Sequence, residues 1–336
     1  MKPVLFVTNH APAFRVKAFA ALHERENVVF ALIGGALRHG GGGTAAELPF
    51  PVITPPQRAI ARIAASGRYR AVIAGISGKL ALPAAYAGAR AAHTPFILWA
   101  TIWRHPRTAA HALSYLPLRH IYRHADAIVT YGPHVSAYVK TKHPHGPVTE
   151  APQAVDTDFW SQPATPDRRG EFQILFAGRL AREKGVHILA QAATGTLVLA
   201  GEGPLHPPNA LVLGRQTPPQ LRNLYAGSDV VVVPSLPTRE FLEPWGLVVN
   251  EAFHQGTPVI ATDAVGAAAG GLVQHERTGL VVPAGDVEAL RAALTRLRND
   301  PELRDRLGAN AKGEVAKYTP QAWAQAFSHA LKGLLA

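Results

Sequence analysis

Residues 234–283 read PSLPTREFLEPWGLVVNEAFHQGTPVIATDAVGAAAGGLVQHERTGLVVP. Pro244 and Gly246 follow Glu243 closely, so Glu243 belongs to a loop. From Leu247 the pattern turns helical, LVVNEAFHQ, and Gly256 ends it as the residue just past the helix. Glu251 then lies about one turn inside that helix, and Glu243 just ahead of its start. Two short apolar runs follow, Thr257–Ala261 and Leu280–Val282, and read as strands. A helix start offers unpaired N–H groups and a partial positive charge, which suit a phosphate. Carboxylates on either side accept hydrogen bonds from hydroxyls. Hydroxyl, phosphate, hydroxyl is the order of a sugar–diphosphate–ribose. The competing reading makes Glu243 a loop charge and Glu251 a solvated helix residue.

Outward from this stretch, strands and helices alternate along the whole chain. In the first half, strands are expected at Val4–Val7, Val28–Ile33, 71–76, 95–99 and 127–131. Helices are expected at Arg15–Glu24, 56–66, 79–92, 109–123 and 133–141. Gly34–Gly43 holds six glycines and reads as a mobile loop. After the polar, Pro-containing stretch Ser161–Gly170 the pattern restarts. Strands are expected at Phe172–Ala177, Thr196–Ala200, Ala210–Leu213 and Asp229–Val233, with a helix at Val186–Ala193. Asp286 caps a helix with an apolar stripe at Val287, Leu290, Leu294 and Leu297. Asp300-Pro301 and Thr319-Pro320 open two more. Alternation at this spacing means parallel sheets with helices on both faces. The chain therefore reads as α/β, with two doubly wound Rossmann-like domains facing an interdomain cleft. Such sheets bind ligands beyond the C-terminal ends of their strands.

A chain of 336 residues accommodates two ordinary cores. No apolar run reaches the length of a membrane span. The first residues, MKPVLFVTNHAP, read as a strand and a turn and not as a signal peptide. There is no cysteine, which rules out disulfides and thiol chemistry and fits a cytoplasmic protein. Residues 1–160 hold 17 Lys and Arg against 7 Asp and Glu, and the remainder 17 against 16. Eleven of the 16 histidines also lie in the first part. A basic half suggests an anionic partner: nucleic acid, an acidic membrane surface or a phosphorylated acceptor. The bland alternative is a basic solvated face.

The central stretch also carries a resemblance. Glu243-Pro-Trp-Gly-Leu-Val-Val-Asn-Glu251, with Gly256-Thr-Pro-Val-Ile-Ala261 after it, resembles the E-x7-E signature of retaining glycosyltransferases of family 4, glycosyl transferases group 1, which have the GT-B fold. Gly178-Arg179-Leu180 and Lys184-Gly185 resemble that family's G-R-L-x-x-x-K-G loop. Gly201-Glu-Gly-Pro204, Pro234-Ser235 and Thr278-Gly279-Leu280 fall in the family's order. The C-terminal half is covered nearly end to end; the N-terminal half matches in layout. The resemblance implies an acceptor-binding domain, residues 1–163, rejoined by a C-terminal helix 320–336. A donor-binding domain, 164–319, lies between them.

The implied reaction moves a sugar from a UDP- or GDP-sugar to an acceptor hydroxyl with retained configuration. It needs no cofactor and no metal. By residue, the resemblance implies that Arg179 and Lys184 hold the donor diphosphate, completed by the amides of Gly246, Leu247 and Val248. Glu243 would hold the donor sugar and Glu251 the ribose. Gly201, Gly203, Arg215 and Gln216 would surround the base. His105, in Trp99-Ala-Thr-Ile-Trp-Arg-His105, would lie near the sugar, with Asn9 and Arg15 on the acceptor side. A surface turn with solvated charges is the alternative reading for Arg179 and Lys184. Asp156-Thr-Asp158 looks like a metal-binding D-x-D, but its setting, Ala154-Val-Asp-Thr-Asp-Phe-Trp, reads as structural.

The basic first half suits an anionic or lipid-linked glycan acceptor and peripheral association with the inner face of a membrane. Arg58, Arg62, Arg68 and Arg70 cluster around one helix, and Arg104, Arg107, Arg119 and Arg123 around another. Three other readings stay open. One is a further GT-B sugar-nucleotide enzyme such as an epimerase. A dinucleotide dehydrogenase would need an intact G-x-G-x-x-G, which is missing after every strand. A non-catalytic nucleic-acid binder would need a recognisable module, and the basic residues are scattered.

Overall fold

The computed structural model describes residues 2–34, 48–76 and 80–335. From residue 35 the glycine-rich stretch lies outside the described residues, as does residue 79, the expected start of a helix. The chain divides into two units, Met1–Asp156 with Thr319–Ala336, and Thr157–Tyr318.

The first unit begins with β1 (Val4–Thr8), α1 (Ala13–Glu26), β2 (Val28–Leu32) and β3 (Val52–Ile53). After Pro55-Pro56, a 3-10 turn, Gln57–Ala59, leads into α2 (Ile60–Ala64), so the expected helix 56–66 is shorter and partly 3-10. There follow β4 (Ala71–Gly75), α3 (Ala81–Ala91), β5 (Phe96–Ala100), α4 (Ala109–His124), β6 (Ala127–Thr130), α5 (Pro133–Lys140) and β7 (Val148–Glu150). Strands such as VLFVT and FILWA are buried at every position. They carry apolar side chains on both faces because helices cover both faces of a parallel sheet. The described strands pair in the order β3-β2-β1-β4-β5-β6-β7, all parallel.

The second unit contains α6 (Thr157–Trp160), β8 (Gln173–Ala177), α7 (Val186–Ala192), β9 (Thr196–Ala200), β10 (Ala210–Gly214) and α8 (Pro218–Gly227). Next come β11 (Val230–Val233), α9 (Val248–His254), β12 (Val259–Thr262), α10 (Gly266–Ala269), β13 (Gly279–Val282), α11 (Val287–Asn299) and α12 (Pro301–Val315). Its strand order is β10-β9-β8-β11-β12-β13, again parallel. Asp286 and Asp300 cap as expected, accepting from the amides of Ala289 at 2.9 Å and Leu303 at 2.8 Å.

The chain then returns to the first unit through α13 (Pro320–Leu335). Thr319 caps this helix by accepting from the amide of Ala322 at 3.0 Å. Trp323 and Phe327 are fully buried among Phe6, Phe19, Phe30 and Trp99. Phe19 and Trp323 pack at a tilt of 43° with centroids 5.6 Å apart, and Phe6 lies 5.6 Å from Phe327. The final helix is thus part of the first unit's core.

Candidate functional site

In the second unit the strand order reverses between β8 and β11. Loops leaving two strands at such a reversal diverge and open a crevice at the strand ends. The loop after β8 carries Gly178, Arg179 and Leu180, then a 3-10 turn, Arg182–Lys184. The loop after β11 starts at Pro234-Ser235 and runs to Glu243.

These two loops meet at Glu243. The carboxylate is buried, and its Oε2 accepts from the Lys184 ammonium and, at 3.0 Å, from the Ser235 hydroxyl. A buried carboxylate without a partner would cost several kcal/mol, by order of magnitude, and Lys184 supplies the counter-charge. The Lys184 nitrogen also sits 4.8 Å from the centre of the Phe241 ring. The Glu243 backbone is fixed as well, its carbonyl accepting from the amide of Gly266 at 3.0 Å. Ser235 is held by its own carbonyl, which accepts from the Thr262 hydroxyl at 2.6 Å. Arg179 pairs with Glu183 at 2.7 Å on an exposed turn. Exposed pairs of this kind contribute little, so the guanidinium can be drawn to another partner at small cost.

Past Glu243 the backbone turns at Gly246, φ 95°, into α9. Leu247 and Val248 form the start of that helix, whose first amides have no intrahelical acceptor. Gly256, φ 75°, follows its end. Glu251 lies in the helix, and its carboxylate accepts from the Tyr225 hydroxyl at 2.7 Å. Burial pushes the Glu251 carboxyl up to about 7, and the Tyr225 hydrogen bond pulls it partly back. Burial and then the Glu251 charge push the Tyr225 phenol well above its ordinary value.

Gly201 and Gly203 follow β9 and press against the loop after β8. A Cβ on Gly201 would lie 1.8 Å from the carbonyl oxygen of Gly178, and one on Gly203 2.4 Å from that of Leu180. Any side chain there would push the Arg179 loop away. Arg215 is exposed after β10, while the Gln216 side chain folds back to donate to the Leu213 carbonyl at 2.8 Å.

In the first unit the order reverses between β1 and β4. A cavity of about 310 Å³ opens there, lined by Asn9 and Arg15 together with Thr8, His10, Trp99 and Tyr131. Arg15 is buried, and its guanidinium donates to the Tyr131 hydroxyl at 2.7 Å and to Gln153 Oε1 at 2.6 Å. It lies 4.6 Å from the Trp99 ring centre. Burial lowers the Arg15 pKa, against the pull of Tyr131. His105 lies outside the cavity lining. Its Nε2 is 2.8 Å from the His111 carbonyl, so that nitrogen carries the proton, and Nδ1 is buried without a partner. Asp156 forms an ion pair with Lys17 at 2.7 Å. Among the described residues no three His, Asp or Glu side chains gather as a metal site would require.

Of the residues singled out in the sequence, Lys184 and Glu243 are brought into contact. Tyr225, Tyr131, Trp99 and Gln153 were not assigned site roles from the sequence. Arg70 leaves the expected basic cluster, because it is partly buried and pairs with Glu26 at 2.7 Å.

Residues 159–314 match the family model for glycosyl transferases group 1. The chain is similar to an uncharacterized glycosyltransferase of Methanocaldococcus jannaschii, 30% identical over 172 residues, 46% of this chain and 42% of that one. It is also similar to the D-inositol 3-phosphate glycosyltransferase of Corynebacterium urealyticum, 33% identical over 171 residues, 43% of this chain and 39% of that one. The matched stretch spans less than half the length of these curated relatives. Among solved structures, HepE of Anabaena in complex with UDP shares the fold, with a TM-score of 0.78 at 17% identity over 98% of this chain and 100% of that one.

Proposed function

Residues 159–314 belong to the glycosyl transferases group 1 family and the chain has the GT-B fold, and on that premise we propose that it transfers a sugar from a nucleotide-diphosphate sugar to an acceptor hydroxyl. The observation that carries this reading is the convergence of Lys184 and Ser235 on the buried Glu243 at the β8–β11 reversal. Arg179 and Lys184 hold the diphosphate and stabilise its charge as it leaves. An ammonium has three donors, so Lys184 can serve a phosphate without giving up Glu243. Glu243 orients the donor sugar, Glu251 takes the ribose hydroxyls, and the amides of Gly246, Leu247 and Val248 complete the phosphate cradle.

The transfer proceeds with retention and without a metal. The leaving phosphate takes the acceptor's proton, and the protein contributes positioning and electrostatics. UDP-sugars are the first donors to test, since HepE is seen with UDP, and GDP-sugars the second. The deciding assay follows free nucleotide diphosphate with and without acceptor. Release only with acceptor, and a product whose anomeric configuration by NMR matches the donor, supports retaining transfer. Interconversion of the sugar nucleotide without acceptor would instead mark an epimerase.

A second observation bears on where the acceptor sits. On α4, Leu113 is 85% and Leu116 70% exposed, Arg119 and Arg123 are exposed, and the helix carries no Asp or Glu. Exposed leucines with basic neighbours suit the interface of an acidic bilayer. Among the described residues no helix is long and apolar enough to cross a membrane. The proposed acceptor is therefore an anionic or lipid-linked glycan, met at a membrane surface.

A further inference from the structure

The cavity at the β1–β4 reversal contains a cation that no anion among the described residues matches. Arg15 is only 7% exposed, yet no Asp or Glu oxygen pairs with it among the described residues. Its two hydrogen bonds go to neutral oxygens, those of Tyr131 and Gln153, and both leave from a single guanidinium nitrogen, Nη2. The group has five N–H donors, so its other nitrogens remain to be used. Among the described residues the cavity lining includes no carboxylate. Asp156 is paired with Lys17. Trp99, 4% exposed, also lines the cavity, and its indole N–H is buried without a partner.

A buried, unmatched charge is costly and is retained where something else completes it. The surrounding groups indicate what that is. Thr8, Asn9 and His10 offer hydrogen bonds to hydroxyls, and the rings of Trp99 and Tyr131 hold the guanidinium plane in place. A guanidinium held this way, with Nη1 and Nε still able to donate, suits an oxygen of an anionic group.

We infer that this cavity seats an anionic substituent of the acceptor glycan, a carboxylate or a phosphate, on the Arg15 guanidinium. The inference rests on the transferase reading, in which the acceptor falls to the first unit. Arg15 is on this account a residue that sets acceptor specificity, and it takes no part in donor binding.

The test uses the full chain with its donor site saturated by UDP, so that a phosphate-bearing probe cannot bind there. Glucuronate, glucose 6-phosphate and glucose are titrated by calorimetry against the wild type, Arg15→Lys and Arg15→Met. The wild type is expected to prefer at least one anionic sugar over glucose by about tenfold or more, the scale of a charge-assisted hydrogen bond. Preference for glucuronate alone identifies a carboxylate, and for glucose 6-phosphate alone a phosphate. Arg15→Met should abolish the preference and Arg15→Lys retain part of it, both with unchanged UDP affinity. Should Arg15→Met fail to fold, the wild-type preference and its decline with added salt carry the test. No preference in the wild type, or a preference that survives in Arg15→Met, overturns the inference. Failure of the wild type to bind either UDP or GDP would instead count against the transferase reading, so the two failures are separable.

Discussion

Glu251 ties nucleotide binding to pH in a way that can be worked out from its surroundings. The residue keeps some exposure, but its carboxyl is enclosed by protein and titrates near 7. In the free protein at neutral pH, about half of the molecules then carry it protonated. Ribose hydroxyls that donate to the carboxylate require the ionised form. Apparent affinity should follow the ionised fraction, which rises from roughly a tenth at pH 6 to roughly nine-tenths at pH 8. Binding of a UDP-sugar should therefore tighten about tenfold over that range. Calorimetry at pH 6, 7 and 8 measures the slope, and buffers of different ionisation enthalpy show the accompanying proton release. Glu251→Gln should flatten the profile and weaken binding at pH 8 by about 1.5–3 kcal/mol, the worth of a charged hydrogen bond. Stability should move the other way. The folded pKa lies above the unfolded value, so the contribution is full below about 4.5 and lost as pH rises through about 7. Glu251→Gln has no charge to bury and should melt at or above the wild type at pH 8. A wild-type affinity independent of pH, or a slope that persists in Glu251→Gln, would refute the ribose assignment.

Replacing Arg179 by Ala should lower turnover by about 10²–10³ while leaving nucleoside affinity unchanged, and a loss under about threefold would remove it from the phosphate site. Activity should survive EDTA; loss on chelation with recovery on adding manganese would bring Asp156 and Asp158 back as ligands. Leu113→Asp combined with Leu116→Asp should abolish sedimentation with anionic liposomes, and a wild type that ignores such liposomes would discard the membrane surface. Trp323→Ala should destabilise the first unit by about 3–5 kcal/mol in urea, the range for a buried aromatic, and a change near zero would mean that α13 is dispensable.

The doubly wound fold was legible because its signals are local. Continuous apolar runs such as Val230–Val233 mark buried parallel strands, and Asp286 and Asp300 announce their helices. The Thr217-Pro-Pro-Gln220 capping box before α8 is an equally local signal. The edge strands β3 and β7 span two and three residues, too few to show a pattern. The site was only partly legible. The spacing of Glu243 and Glu251 placed both around α9, but their partners come from distant loops. Tyr225 reaches Glu251 across 26 positions, and Tyr131 and Gln153 reach Arg15 across 116 and 138. Such contacts are set by strand order and register, which local pattern does not encode. Glu26 takes Arg70 out of the basic surface for the same reason, 44 positions away.

The return of α13 to the first unit has a consequence for biosynthesis. Residues 157–318 are synthesised between the body of the first unit and Trp323 and Phe327, so the first unit waits with its aromatic face uncovered. At ordinary elongation speeds that interval is roughly ten to thirty seconds. Phe6, Phe19 and Phe30 are exposed for that time on a nascent chain, where they invite aggregation or chaperone capture. The second unit has no such debt to later sequence. A chain truncated after Tyr318 should therefore present a protease-resistant second unit and a protease-sensitive first one.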